Sequence, residues 1–217
     1  MKRFITSLLL LAAIIVPGAL TPQAMGQGNQ QPYALEDAIN TPVIKDRKAR
    51  NSILSYQNSA KEELTSMSSN FRSVDGGILG ITVATARDGE VIVISIPAEL
   101  LFEPNSPDLS DEASRILRQY TSLMRVPDFY RMVLAMHHDN SGSRQYAESL
   151  TQKRVNSVYD WFATHTSPRF ISYYACGNEM PAVDNNSILN RRFNRRLEIY
   201  LVPGEAMIEQ GKKGNLR

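Results

Sequence analysis

MHHDNSGSRQYAESLTQKR at 136–154 and NRRFNRRLEIYL at 190–201 are the stretches on which the fold turns. The first leaves an apolar strand, crosses a short polar Gly/Ser turn and becomes a helix. The second sets Arg191, Arg192, Arg195 and Arg196 ahead of a last β-branched run. Asp139 sits just past the strand end, where Asp-Asn-Ser-Gly-Ser permits a turn that exposes backbone N–H groups beside one carboxylate. Arg154 falls on the helix face that also carries Leu150, Val155, Val158 and Phe162. A guanidinium inside an apolar stripe needs a partner, because an unpaired buried charge is costly.

Two readings of these residues stay open. Asp139 can simply start the turn, and Arg154 can make a structural ion pair or snorkel along its apolar stem. Alternatively, the partner of each arrives with a ligand. The helix start bears on this. A start at Ser143 puts Arg154 roughly 16 Å along the axis, at 1.5 Å per residue. A cap at Thr151 puts it in the first turn, and Thr151 is the favoured cap here. An acid and a base a few ångströms apart would then hold the ammonium and carboxylate of a small zwitterion. Of the four arginines, alternation predicts that half face the site and half face solvent.

Outward from this centre, Arg131 to His137 reads as a strand with Val133 and Ala135 on one face and Met132, Leu134 and Met136 on the other. Ser110 can cap a helix bearing Ala113, Ile116, Leu117, Tyr120 and Leu123. Ile78 to Ala84 and Val91 to Ile96 are runs joined through Arg87-Asp88-Gly89, a hairpin signal. Phe170 to Cys176 and Leu197 to Val202 complete the strands, with a loop from Gly177 to Asn190. This order predicts an α+β fold, a mixed sheet with helices on one face. Before it, Ile53, Gln57, Ala60, Leu64, Met67 and Phe71 have coiled-coil spacing, and Asp75-Gly76-Gly77 closes that helix. The helix either packs on its own domain or pairs with another chain, and the short heptad run with a Gln in it favours the first.

The N-terminus has a basic pair, Lys2 and Arg3, an apolar run from Leu8 to Val16, and small residues around Ala24-Met25-Gly26. It reads as a signal peptide over 1–26, with an uncleaved anchor as the alternative. Removing those two basic residues takes the formal net charge from +2 to 0, so charge does not point to nucleic acid. The expected divisions are 1–26 signal peptide, 27–77 linker and amphipathic helix, 78–203 domain and 204–217 disordered tail. Cys176 is the single cysteine, so no intramolecular disulfide forms.

Four motifs occur in order. Phe102-Glu103-Pro104-Asn105-Ser106-Pro107-Asp108-Leu109 is similar to F-x-x-N-S-x-x-L, and His137-His138-Asp139-Asn140-Ser141-Gly142-Ser143 to the loop of G-H-T-D-x-x-G-S. Leu150-Thr151-Gln152-Lys153-Arg154 is similar to L-S-x-x-R, and Asn194-Arg195-Arg196-Leu197-Glu198-Ile199 to N-R-R-V-E-I. Together they resemble the OmpA-like C-terminal domain family, the peptidoglycan-associating module of Gram-negative envelopes, over about 80–202. The resemblance implies a β-α-β-α-β sheet, preceded here by the N-terminal helix. It also implies non-catalytic binding of the diaminopimelate of peptidoglycan stem peptides, with no cofactor or metal. Asp139 and Arg154 would hold the amino-acid head of that residue. Asn105 would contribute loop contacts, His138 would flank the loop, and Arg195 or Arg196 would line the groove. Met136, His138 and Ala147 stand where the family has Gly, Thr and Asn, and are expected to reshape the loop beside Asp139.

The implied setting is the periplasm, associated with the outer membrane. Peptidoglycan is the partner, and the 46–71 helix is free to meet an outer-membrane protein or a second copy in a weak homodimer. Two competing classes fit the residues less well. An inner-membrane-anchored stator-like or scaffold protein would need a spanning helix, usually with an intramembrane acid, and no acidic residue precedes Glu36. A metal-dependent hydrolase on His137, His138 and Asp139 is disfavoured because adjacent strand residues point to opposite faces.

Overall fold

The computed structural model describes residues 35–36, 44–71 and 79–216. The signal segment, most of the linker and the Asp75-Gly76-Gly77 break lie outside the described residues.

Helix α1 (Arg47–Ser68) starts at Asp46, whose side chain accepts from Ala49 N at 2.7 Å. Strands β1 (Thr82–Ala86) and β2 (Val91–Pro97) form the expected antiparallel hairpin. Then come α2 (Asp111–Arg118), capped by Ser110, β3 (Tyr130–His137) and α3 (Arg144–His165). They are followed by β4 (Ile171–Gly177), α4 (Ile188–Asn194), β5 (Arg196–Pro203) and α5 (Glu205–Lys213). The sheet order is β1-β2-β5-β3-β4, with β3 and β4 parallel and every other pair antiparallel. The central strand β5 is therefore the last to arrive in sequence.

The period-2 reading of β3 holds. Met132, Leu134 and Met136 join Ile92, Ile94, Leu197, Ile199 and Leu201 on the face covered by the helices. Val133 and Ala135 join Val91, Tyr174, Tyr200 and Val202 on the other. Leu35, read as part of a linker, packs into that second face with only 3% of its surface exposed.

The apolar stripe of α1 is used inside the domain. Ile53 and Leu64 are core residues, and Gln57 is buried at the polar position of the stripe. Its amide donates to Glu90 O at 2.8 Å and accepts from the Tyr130 hydroxyl at 2.7 Å. The Glu90 carboxylate takes Arg50 Nε at 2.7 Å and Arg87 Nη2 at 2.9 Å. This buried cluster holds a turn in which Arg87, Asp88 and Gly89 all have positive φ. Among the described residues, no helix is long and apolar enough to cross a membrane.

The tail corrects the sequence expectation. Instead of disorder after Pro203, α5 lies against α1, with Met207 and Gly211 buried. At Gly211 the helices approach closely, since a Cβ there would stand 3.1 Å from Ala49 O. The turn into α5 is equally tight. A Cβ on Gly204 would fall 2.0 Å from Asp128 O. Gly204→Ala must push β5 and the Asp128 turn apart, and is expected to destabilise by about 2–3 kcal/mol in urea unfolding. An unchanged midpoint would mean that α5 is not docked in solution.

Candidate functional site

The site gathers at the sheet end where β3 and β4 finish and β5 begins. Helix α3 starts at Ser143, whose Oγ accepts from Tyr146 N at 3.1 Å. Thr151, favoured as the cap, lies in the helix interior. Its hydroxyl donates to Ala147 O at 2.8 Å and accepts from Gly177 N at 3.2 Å. A threonine that back-bonds one turn behind needs no helix end, and here it staples α3 to β4. Gly177 has φ +52, and its carbonyl accepts from His138 N at 2.7 Å. Cys176 is skipped in the β3–β4 register, a bulge that sets the exit of β3.

Asp139 is fully buried. Its Oδ1 accepts from Ser141 N at 2.7 Å and from the Ser141 hydroxyl, and its Oδ2 is taken by Arg195 Nη1. Burial alone would raise this carboxyl, but the Ser141 hydrogen bonds and Arg195 outweigh it and hold it below the ordinary carboxylate value. Asp139 and Arg154 are thus not in direct contact.

Arg154, in the helix interior, donates from Nε to Ser106 O at 2.9 Å and from Nη2 to Glu103 O at 3.3 Å. Its Cζ lies 4.8 Å from the Phe102 ring centroid, in a cation–π contact. It is buried, and among the described residues it has no carboxylate partner. Burial lowers the pKa of its guanidinium, and the nearby Arg195 charge adds to that. The loop from Phe102 to Leu109 lies along α3, with Asn105 Oδ1 accepting from the Tyr146 hydroxyl at 3.3 Å. Asn105 adopts φ +55, a conformation that asparagine tolerates.

Asp139, Asn105, Arg154 and Arg195 are thus brought to one place. His138 is not a free donor. Its Nδ1 lies 2.9 Å from Asp139 O, and its ring meets Tyr146 edge-on. Arg196 corrects the expectation that it lines the groove. It is buried on the opposite sheet face, bonded to Glu198 at 2.8 Å and to the carbonyls of Asn194 and Met180. Arg191 and Arg192 belong to α4 rather than to a strand, and Arg192 pairs with Glu99 at 2.7 Å. Met136 and Ala147 are fully buried.

Three contributors were missed in the sequence. Ser141 and Tyr146 bond the expected residues. Asn194 accepts from Ala182 N and Val183 N and donates to Val183 O and Asn185 Oδ1. It thereby fixes the loop whose Asn185 reaches Asn140 N at 3.4 Å.

Behind the site lies a buried polar network. Glu198 accepts from Arg196 and from the Tyr200 hydroxyl at 2.6 Å. His137 Nε2 is 3.1 Å from Glu198 Oε2, yet neither ring nitrogen is aligned for a hydrogen bond among the described residues. Burial pushes the Cys176 thiol up to about 12, so it carries no thiolate at neutral pH.

Residues 101–195 match the model of the OmpA family. The peptidoglycan-associated lipoprotein of Brucella melitensis is 30% identical over 108 residues, 48% of this chain and 62% of that protein. The outer-membrane lipoprotein YfiB of Pseudomonas aeruginosa is 28% identical over 109 residues, 50% of this chain and 64% of that protein. The chain thus spans less than two thirds of the length of each. Among solved structures, a putative MotB like protein from Desulfovibrio vulgaris superposes with a TM-score of 0.58 at 22% identity, covering 72% of this chain and 99% of that one. The cell wall anchor of the T6SS from Pseudomonas aeruginosa gives 0.51 at 20% identity, covering 70% of this chain and 96% of that one. These likenesses establish the fold.

Proposed function

We propose that the protein binds peptidoglycan without catalysis, by gripping the amino-acid head of a diaminopimelate residue in the stem peptide. The observation that carries this reading is Arg154, a buried cation with no carboxylate partner among the described residues. A ligand carboxylate at Arg154 supplies the missing anion, and the ligand ammonium takes Asp139. Charge-assisted hydrogen bonds of about 1.5–3 kcal/mol each, one to each charge, support micromolar binding. Tyr146 is beside them, its hydroxyl donating to Asn105 and its ring edge-on to His138. The relatives whose printed names include peptidoglycan association and the outer membrane support peptidoglycan as the partner and an envelope location.

Such a module, exported to the periplasm, would tether the wall to the outer membrane or stabilise it. An outer-membrane partner or a second copy would meet the exposed side of α1, because its apolar stripe faces the domain. Co-sedimentation with diaminopimelate-type peptidoglycan tests the reading. The protein is expected to sediment with the wall, and Asp139→Ala, folded by circular dichroism, to stay in solution. A folded parent that stays in solution sinks the proposal.

A further inference from the structure

The Asp139 carboxylate is already occupied. All of it is buried, with one oxygen held by Ser141 and the other by Arg195. An ammonium can reach it only by displacing Arg195. The Arg195 backbone is fixed, since its N–H donates to Arg191 O at 3.1 Å and its carbonyl accepts from Ala98 N at 2.9 Å. Its side chain is held much less tightly. It is 33% exposed, and among the described residues Nη1 is its only bonded donor. Displacement therefore means swinging one side chain, not moving the strand.

Exchanging a guanidinium for an ammonium at Asp139 swaps one charge-assisted pair for another, with little net gain. It also leaves a released cation beside Arg154, the neighbour whose charge it already opposes. A carboxylate carried next to the ammonium changes that balance. It gives the released Arg195 a new partner and supplies Arg154 with the carboxylate it lacks among the described residues. Resting on the stem-peptide reading above, we infer that Arg195 is a specificity-determining residue. It caps Asp139 and yields it only to an ammonium that bears an adjacent carboxylate, so the site takes α-amino-acid heads and refuses simple amines. The two classes correspond to stem peptides ending their long side chain in an amino-acid centre and those ending it in a bare lysine amine.

The test is titration calorimetry with two muropeptides that differ only in this group, one containing meso-diaminopimelate and one containing lysine. The parent is expected to favour the first by about thirtyfold or more, the range of one or two charge-assisted contacts. In Arg195→Gln the lysine muropeptide is expected to gain about tenfold, and the preference to fall below about threefold. Arg195→Lys, which keeps a cation at Asp139, should restore most of the preference. A preference that survives in Arg195→Gln overturns the inference while leaving stem-peptide binding intact. Equal binding of both muropeptides by the parent overturns it as well. A folded parent that binds neither overturns both this inference and the reading on which it rests.

Discussion

Arg154→Met is expected to abolish wall binding while leaving the fold as stable as before. The guanidinium is buried against Phe102 with two backbone carbonyls as its bonded partners and no carboxylate among the described residues. Methionine fills much the same stem volume and removes a buried charge that no carboxylate among the described residues offsets. Replacing a poorly paired buried ion by an apolar side chain is often neutral or stabilising. The carbonyls of Glu103 and Ser106 belong to a surface loop, where water can take over. The unfolding free energy should therefore stay within about 1 kcal/mol of the parent, or rise. Affinity for the diaminopimelate muropeptide should fall on the order of 100-fold, the value of one strong charge-assisted contact. Had Arg154 a purely structural role, the pattern would reverse, with a loss of several kcal/mol in urea unfolding and affinity preserved in the folded fraction.

Glu198→Gln is expected to do the opposite, leaving the ligand groups in place and weakening the fold. The Glu198 carboxylate is the counter-charge for Arg196 and lies beside His137 and the Tyr200 hydroxyl. Removing its charge leaves a buried guanidinium unpaired, at a cost of about 3–5 kcal/mol at pH 7. The pH dependence follows from two depressed groups. Arg196 and His137 hold Glu198 well below the ordinary carboxylate range, against the opposing effect of its burial. Burial, with the Arg196 charge, lowers His137 from its ordinary 6.5. In both cases the unfolded chain takes up a proton that the folded chain refuses, so stability falls as pH falls. The His137 contribution is present above pH 6.5 and declines below it. The Glu198 contribution is present above 4.5, the ordinary value, and declines below that. Glu198→Gln should therefore keep the decline that starts near pH 6.5 and lose the steeper one below 4.5. Urea midpoints from pH 7 to pH 3 read both limbs, and parallel curves for the two proteins would refute the assignment.

The strands, the hairpin and the Asp139 turn were legible because each is set by local pattern: β-branched runs, Asp-Gly, a short polar break. Arg154 was legible for the same reason, as a charge inside an apolar stripe. What was not legible depends on contacts between distant residues. Arg195 closes on Asp139 across 56 positions, and nothing near either residue announces the pairing. Thr151 looked like a helix cap because the sequence does not show Gly177 waiting for its hydroxyl. Strand alternation was read across all four arginines, but Arg191 and Arg192 lie in α4, and the separation of Arg195 from Arg196 depends on where β5 begins. Helix α5 escaped because a nine-residue helix has little stability of its own and forms by docking on α1.

The placement of α1 also has a mechanical consequence. Its first turn is bound to the β1–β2 turn through Arg50 and Glu90, at the opposite end of the sheet from Asp139 and Arg195. A load applied between a ligand in the site and the chain ahead of Ile44 would run along β2, β5 and β3 rather than across them. Many ladder hydrogen bonds would then resist together in shear, whereas a pull across the strands would open them one after another. The domain is oriented as a strap is sewn, with the stitches lying along the direction of strain.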